Sequence, residues 1–328
     1  MGKILNRYPR ESWLLADKYP GHQISSSYDP AAIFEKQLKK CGVEYFDYYL
    51  LHNVCELSLQ TYLDPRWGIL DYFREQKRLG RIRHLGFSSH GRVDLLAKFL
   101  DVAGEDMEFC QIQLNWLDWT LQDAKAKVDL LNERKVPIWV MEPLRGGRLC
   151  TLPEEDAASL KALRPEEGLP AWSFRFLQSV PGVTLILSGM SSMEQMAQNL
   201  DTFETDAPVD ERERQTLLRI AEGLKRSVPC TGCRYCTAGC PKGLDIPMLL
   251  ATWNELRYAP SMNIGMRIDS MPEEKRPAAC IGCGRCTRIC PQKIDIPTEL
   301  RAFSDKLAAS PSWADICRQR EEAAKPNG

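Results

Sequence analysis

The chain has 328 residues, and its 43 Lys and Arg against 44 Asp and Glu give a formal net charge of −1. Because positive and negative charges are nearly equal in number, the net charge gives no electrostatic basis for binding nucleic acid or an anionic membrane surface. No apolar run approaches the roughly 18 residues of a membrane-spanning helix, and the opening MGKILNRYPRESW lacks the apolar core of a signal peptide.

Residues 1 to about 205 alternate strand-like runs with amphipathic helical segments. The strand candidates share β-branched and aromatic residues: SWLLADK (12–18), FDYYLLH (46–52), RHLGFSS (83–89), FCQIQLN (109–115), PIWVMEPL (137–144) and TLILSGM (184–190). The helical segments between them often end at Gly, a common helix stop. This alternation predicts a parallel sheet covered by helices, in a (β/α)8 barrel or a doubly wound sheet. The second option lacks the GxGxxG loop of a dinucleotide site.

Polar side chains stand at the carboxyl ends of these predicted strands. Lys18, His52, Ser88, Ser89 and Gln113 each end or follow a strand. In a barrel the active site lies at this edge, and a Lys or His there can tune proton transfer. Taken singly, each is also explained as a solvated strand end or a satisfied loop residue. Their shared position on successive strands favours a common site.

The last predicted strand leads into a Gly-Met-Ser-Ser turn that opens a helix. The free N–H groups of a helix N-terminus form a natural phosphate site. Ser191 or Ser192 is equally explained as a helix cap. The segment alone does not decide between the two.

The final third of the chain carries two copies of Cys-x2-Cys-x2-Cys-x3-Cys-Pro, 50 residues apart. In bacterial ferredoxins this spacing places three cysteines on one cubane cluster and the fourth on the other. It predicts two [4Fe–4S] clusters with crossed fourth ligands. The first set is Cys230, Cys233, Cys236 and Cys290, and the second is Cys280, Cys283, Cys286 and Cys240. Zinc sites also use CxxC pairs but do not repeat such a run, and disulfide frameworks belong to short secreted domains.

The similarity between the two copies extends past their cysteines. CTGCRYCTAGCPKGLDIPMLL and CIGCGRCTRICPQKIDIPTEL agree at Cys, Gly, Pro, Asp, Ile and Leu positions, which indicates a duplicated supersecondary unit. Each copy runs into a Pro-initiated stretch with helical spacing, so we expect a helical module. The other cysteines are scattered like reduced thiols, which together with the clusters predicts a cytoplasmic location.

Several segments of the chain resemble aldo/keto reductases. They are FDYYLLHN, GRIRHLGFSSHG, QIQLNW, MEPLRGG and LSGMSSMEQMAQNL, which occur in the family's order over nearly the whole chain. The subgroup most similar carries a C-terminal dicluster ferredoxin domain. The resemblance implies a (β/α)8 barrel that transfers hydride between NAD(P)H and a carbonyl carbon.

The resemblance also implies roles for single residues. Lys18 is similar to the family's active-site lysine, which lowers the pKa of a catalytic tyrosine, and His52 to the histidine that orients the carbonyl. The positions similar to those that hold the nicotinamide carboxamide, the pyrophosphate and the adenosine end are, in chain order, Ser88, Ser89 and Gln113; Pro143, Leu144, Arg145, Gly146 and Gly147; and Gly189, Met190, Ser191, Gln195 and Asn199.

The sequence departs from the family in two respects. Gly189 and Gln195 stand where NADP-preferring relatives have a lysine and an arginine for the 2′-phosphate, so we expect a weakened preference for NADPH. The family's second-strand aspartate and following tyrosine have no counterpart here. We therefore expect that Met1 is an internal methionine or that the chain is a fragment, and that the barrel lacks its first two strands.

The sequence thus predicts a (β/α)8 barrel without its first two strands in residues 1–206 and a helical dicluster ferredoxin domain in residues 207–328. The expected function is NAD(P)-linked hydride transfer at a carbonyl or alcohol, coupled to iron–sulfur electron transfer. Expected partners are a small-molecule substrate and a one-electron redox partner, with no nucleic acid and no membrane. The alternative is an electron-transfer or interaction protein whose barrel does no hydride chemistry.

Overall fold

The computed structural model describes residues 2–224, 228, 230, 232–258, 260–290 and 292–324. They form two compact units. The first, here the sheet unit, comprises Met1–His22 and Ser26–Ala221, and the second, here the cysteine unit, comprises Gln23–Ser25 and Glu222–Gly328. No helix of the described chain is long and apolar enough to cross a bilayer.

The sheet unit is built on a six-stranded sheet in which neighbouring strands are parallel and follow chain order. The strands are β1 (Ala16–Tyr19), β2 (Phe46–Val54), β3 (Ile82–Ser89), β4 (Cys110–Gln113), β5 (Ile138–Met141) and β6 (Val183–Ile186). All of the predicted strands are present, most of them shorter than predicted. Within the described residues β1 pairs only with β2 and β6 only with β5, so the sheet stays open.

Helices follow the strands and cover one face of the sheet. Those up to residue 224 are α1 (Gly2–Leu5), α2 (Pro30–Cys41), α3 (Leu59–Leu63), α4 (Ile69–Arg78), α5 (Val93–Ala103), α6 (Asp118–Leu121), α7 (Ala124–Glu133), α8 (Glu154–Leu163), α9 (Leu169–Gln178), α10 (Met193–Glu204) and α11 (Glu211–Leu224).

The first long helix shows how local sequence sets these elements. Asp29 caps α2 by accepting a hydrogen bond from the Ala32 amide at 2.9 Å, and Pro30 occupies the first helical position. Gly42 ends the helix with φ = 68°, a left-handed conformation that glycine adopts without steric cost. The helix therefore begins and ends where capping chemistry predicts.

Two apolar layers hold the sheet. On the helix-covered face, Phe34 of α2 packs against Tyr49 of β2 with ring centroids 5.1 Å apart. On the other face, Phe109 stacks on Trp139 at 4.0 Å, beside Leu50. Burying each such side chain stabilises the fold by about 1.5–3 kcal/mol.

The predicted boundary between residues 206 and 207 stays a prediction. In the structure residues 207–221 belong to the sheet unit. The reason is visible at Glu213 of α11, which forms a 2.6 Å ion pair with Arg164. That guanidinium also donates to the carbonyl oxygens of Ala207 and Pro208.

The described part of the cysteine unit is helical. Its helices are α12 (Tyr235–Ala238), α13 (Ile246–Tyr258), α14 (Met262–Asp269), α15 (Arg285–Ile289), α16 (Ile296–Ala308) and α17 (Trp313–Ala324). The repeat seen in the sequence is a repeat in the backbone. Arg234 and Gly284, 50 residues apart, precede α12 and α15 with φ values of 65° and 68°. Cys240 and Cys290 likewise each donate an amide hydrogen bond to a carbonyl oxygen three residues earlier, at 3.1 and 3.2 Å.

Candidate active site and cluster-binding site

Lys18 lies on β1, opposite Leu50 of β2. Its ammonium donates a 2.5 Å hydrogen bond to Oε1 of Gln111 on β4, which is 93 residues away in the chain. Burial lowers the pKa of Lys18, and the neighbouring Asp17 carboxylate partly opposes that shift. The side chain is thus a half-buried cation on the face of the sheet that carries Leu50, Phe109 and Trp139.

His52 lies within β2, because the strand continues two residues further to Val54. Its ring packs edge-on against His22, with ring centroids 4.3 Å apart. Burial lowers the pKa of His52 to about 3, and the nearby His22, Lys18 and His90 act in the same direction. At neutral pH the imidazole is therefore neutral and able to donate one hydrogen bond.

The tyrosines near these strand ends are held inside the fold. Tyr62 donates its hydroxyl to the backbone oxygen of His52 at 2.7 Å, and burial raises its pKa well above the usual value. Tyr19 is fully buried, and burial raises its pKa as well. Neither phenol is set up to give up a proton near neutral pH.

Ser88 and Ser89 tie the end of β3 to the end of β2. The Ser88 hydroxyl accepts a hydrogen bond from the Asn53 amide at 2.9 Å. Ser89 donates its hydroxyl to the backbone oxygen of Val54 at 2.8 Å. Both serines are buried, so they fix the strand ends whether or not they also touch a cofactor.

Gln113 belongs to a buried polar network that the sequence did not reveal. Its side-chain amide donates to the Asp118 carboxylate at 2.8 Å, and Asn115 donates to the same oxygen at 2.7 Å. Arg145 approaches that oxygen to 3.2 Å from the turn after β5. Asp118 is fully buried. This carboxylate thus connects the β4 end to the turn predicted to hold the pyrophosphate.

The turn after β5, from Pro143 to Gly147, has an unusual backbone. Arg145, Gly146 and Gly147 all have positive φ, at 48°, 63° and 86°. The Gly147 amide donates to the Leu144 oxygen at 3.0 Å, which closes the turn. The two glycines tolerate this conformation, and the buried guanidinium of Arg145 anchors it.

The segment after β6 organises its own side chains. Ser192 caps α10 by accepting a hydrogen bond from the Gln195 amide at 3.2 Å, while Gln195 accepts one from the Ser191 amide at 2.8 Å. Asn199 donates to the Ser188 hydroxyl at 3.1 Å. The cap is therefore Ser192. A Cβ added at Gly189 would meet no atom within 4 Å, so a longer side chain fits there.

The sheet order sets these predicted residues in a row. Lys18, His52, Ser88 with Ser89, Gln113, the 143–147 turn and the segment 189–199 belong to successive strands or directly follow them. Parallel strands end at one edge, where ligands of such folds bind. The structure joins Gln113 to Arg145 through Asp118. Asp118 and Asn115 went unrecognised because their partners come together only in three dimensions.

The cysteine runs line two cavities. The first cysteine cavity is lined by Cys230, Cys233, Cys236 and Cys290. The second cysteine cavity is lined by Cys280, Cys283, Cys286 and Cys240. In each cavity the fourth cysteine comes from the other repeat.

The thiols of these cavities fit a cluster better than a single ion. Burial, with the neighbouring thiols of Cys230, Cys286 and Cys233, raises the pKa of Cys236 to about 11, so a metal centre is needed to make it a thiolate near neutral pH. No three His, Cys, Asp or Glu of the described chain are placed to hold one metal ion. Four thiols that line one cavity, three from one repeat and one from the other, suit a multi-iron cluster.

Comparison with known families divides the chain in the same order. Residues 1–220 match the model of the aldo/keto reductase family. The chain belongs to the aldo/keto reductase family. Residues 229–294 match the 4Fe-4S dicluster domain. No curated protein matches the sequence.

Solved structures of aldo-keto reductases share the fold. The holo form of aldo-keto reductase AKR11C1 from Bacillus halodurans is 23% identical, with a TM-score of 0.54 over 67% of this chain and 76% of that one. An enzyme from Brucella melitensis is 20% identical, with a TM-score of 0.51 over 67% and 78%. One from Klebsiella pneumoniae, in complex with NADP and acetate, is 19% identical, with a TM-score of 0.51 over 67% and 74%.

The predicted family and fold class are confirmed by these matches and by the six parallel strands. The protein is an oxidoreductase enzyme of aldo/keto reductase type with an iron–sulfur domain.

Proposed function

We propose that this oxidoreductase couples NAD(P)-linked hydride transfer at a carbonyl or alcohol to iron–sulfur electron transfer. One observation carries the proposal: Lys18 and His52 share the ligand-binding edge of the sheet with the residues that resemble a dinucleotide site, in a chain that also holds two cysteine-lined cavities. A bound nicotinamide dinucleotide would supply the hydride, and bound clusters the one-electron steps.

The side chains of this edge suit a carbonyl group. A neutral His52 donates a hydrogen bond to a carbonyl oxygen without competing as an acid, since its pKa is about 3. The Lys18 ammonium places positive charge on the same face, and its lowered pKa brings proton transfer closer to neutral pH. Together they orient a carbonyl and stabilise negative charge on its oxygen.

The cysteines are proposed to bind two [4Fe–4S] clusters with crossed fourth ligands. Cys290 would complete the first set and Cys240 the second, as the lining of the two cavities supports. Cluster content is measured as iron and sulfide per chain after anaerobic reconstitution. About eight irons per chain are expected from two cubanes; half that number contradicts the two-cluster proposal.

The hydride proposal is tested with the same reconstituted protein. Carbonyl-dependent oxidation of NADH and NADPH is followed across aldehydes and ketones, in the parent and in Lys18→Met. We expect the variant to lose at least about 100-fold in kcat/KM, since general acid–base groups contribute that much. Lys125→Met is the matched control, because that lysine is exposed and forms a surface ion pair with Asp129. Activity that survives Lys18→Met contradicts the assigned role.

We propose that the enzyme's preference for NADPH over NADH is weakened. Gly189 and Gln195 offer no cation to a 2′-phosphate, and the Gln195 side chain is engaged with the Ser191 amide. Dissociation constants for NADH and NADPH are compared by fluorescence. Gly189→Lys should restore a preference for NADPH, because a Cβ at this glycine meets nothing within 4 Å. A clear NADPH preference in the parent contradicts the proposal.

A second candidate is an electron-transfer or interaction protein whose barrel does no hydride chemistry. The buried tyrosines favour this candidate. The Tyr62 hydroxyl already donates its hydrogen bond to the His52 backbone oxygen, so it is not placed to protonate a carbonyl substrate. Cluster-containing protein that binds neither dinucleotide and oxidises none in the presence of carbonyls supports it. Under either candidate, residues 1–206 and 207–328 are the proposed domains, and the cytoplasm is the proposed location.

A further inference from the structure

The two halves of the cysteine repeat differ in charge at matching positions. The second copy has Arg285, Arg288 and Arg301, where the first has Tyr235, Ala238 and Ala251 fifty residues earlier. Lys242 lines the second cavity together with Arg285. We call Lys242, Arg285, Arg288 and Arg301 the basic rim.

The basic rim is exposed and uncompensated. None of its four side chains forms an ion pair with a carboxylate in the part of the chain that the structure describes. The guanidinium of Arg301 lies 3.9 Å from where a Cβ would stand on Gly282, and that of Arg288 lies 3.9 Å from the same point on Gly284. These two glycines flank Cys283, so the cations surround the loop of the second cavity.

The first cavity lacks such a rim. The cation that lines it, Arg234, forms a 3.0 Å ion pair with Asp245. Lys293 lies near Cys290 of that cavity as one further exposed cation. Acidic residues are also present on this side: Asp245 lies between Leu244 and Ile246, which line the second cavity, and Asp305 lies one turn after Arg301 on α16. Asp245 is paired with Arg234, and the nearby Lys275 ammonium donates to the Lys242 and Gly243 carbonyl oxygens. The excess of unpaired positive charge is therefore on the second cavity.

Apolar surface lies within the same region. Ile281 lines the second cavity and is 61% exposed, and Ile289 of α15 is 55% exposed. Cys283 is exposed as well. An exposed apolar centre inside a charged margin is typical of a protein-binding site. A redox centre this near the surface is open to exchange with another protein.

We propose that the basic rim, with Ile281 at its centre, is the docking face for an acidic one-electron carrier protein. The inference rests on the proposed cluster binding at the second cavity. Charge complementarity selects the carrier, because opposite charges speed encounter and exclude cationic proteins. Docking here places the carrier over Ile281 and Cys283, which line the second cavity and are exposed.

The test measures binding of the full, cluster-loaded chain to an oxidised acidic plant-type [2Fe–2S] ferredoxin by calorimetry. The double variant Arg288→Glu/Arg301→Glu should weaken binding by roughly tenfold at low salt, as expected for reversed charges at an interface margin. Lys306→Glu, on the same helix as Arg301, makes the same charge change as Arg301→Glu alone and is the matched control for that single variant. Arg301→Glu should weaken binding, and Lys306→Glu should bind as the parent does. Binding of the parent should weaken as salt rises.

Each contrary result has a defined meaning. Equal loss in Lys306→Glu reduces the effect to overall charge and overturns the docking face, as does unchanged binding in the double variant. Tighter binding of a basic c-type cytochrome, or of a short single-stranded oligonucleotide, overturns the acidic carrier. Iron and sulfide content of each sample separates the two levels: clusters without docking overturn this inference alone, and their absence overturns the proposed function.

Discussion

In the sheet unit, aromatic rings such as Phe34 and Phe109 pack tightly between strands and helices, whereas in the cysteine unit aliphatic side chains surround two cavities lined by thiols. The first unit buries its own core. The second includes Cys236 and Cys286 in its core and packs Cys230, Cys240, Cys280 and Cys290 against it, while Cys233 and Cys283 are exposed. If the proposed clusters fill these cavities, the stability of the second unit depends on them, whereas that of the first does not.

Removal of iron is expected to have the largest effect. When a chelator and an oxidant strip the clusters, α13 and α16 should lose hydrogen-exchange protection, because each proposed cluster would join residues of both repeats. The strands β2 to β4 should keep their protection in the same sample, which is the internal control. Undiminished protection of α13 and α16 after confirmed iron loss removes the contrast between the units.

The buried carboxylate of the sheet unit gives the next largest effect. Asp118→Ala removes the carboxylate that pairs with Arg145 and accepts a hydrogen bond from Gln113, and breaking a buried ion pair in this way costs about 3–5 kcal/mol. Asp101→Ala is the control, since its pair with Arg134 is exposed and exposed pairs contribute about 0–1 kcal/mol.

Denaturant titration of the sheet-unit transition measures both variants. Similar losses for the two would show that the 118–145 network adds no more than a surface ion pair. The cysteine unit should keep its cluster absorbance in either variant, because the change lies in the other unit.

The cavities and the buried carboxylate also show which features could be predicted from the sequence and which could not. The strands were predictable because runs such as FDYYLLH combine β-branched and aromatic residues, and the cavities were predictable because iron–sulfur ligation demands a fixed spacing. Asp118 was not, since its partners Gln113, at the end of β4, and Arg145, in the turn after β5, come together only in the fold.

The candidate site shows the same division. Lys18 and His52 were found because they lie at or near the carboxyl ends of predicted strands, yet nothing local indicated that Lys18 bonds Gln111 across two intervening strands. The Ser88 and Ser89 positions were found at a predicted strand end, but their hydrogen bonds to the β2 end depend on the register between neighbouring strands.

A smaller effect concerns pH and the sheet unit. The pKa of His52 falls from 6.5 to about 3 on folding. Between pH 6.5 and 3 the His52 imidazole is therefore protonated in the unfolded chain but neutral in the folded chain. The free energy of unfolding falls as pH drops through this range and is unaffected by His52 above pH 6.5. The loss approaches about 1.4 kcal/mol per pH unit, or about 2 kcal/mol at pH 5.

His52→Gln removes this proton from both states. The variant should lose about 2 kcal/mol less than the parent between pH 7.5 and 5, with denaturant titration at each pH as the measurement. Parallel curves for the two proteins would contradict the buried, neutral state of this histidine.

The smallest predicted effect compares the two halves of the cysteine unit. Cations near a cluster favour its reduced, more negative form and raise its potential. One exposed charge about 10 Å away contributes roughly 0.4 kcal/mol in water, or about 20 mV for one electron. Arg288→Ala should lower one of two potentials by that amount, and Ala238→Arg should raise the other. EPR-monitored redox titration measures both. If both substitutions shift the same reduction potential, Arg288 and Ala238 do not lie near separate clusters, and the assignment of one cluster to each cavity is contradicted.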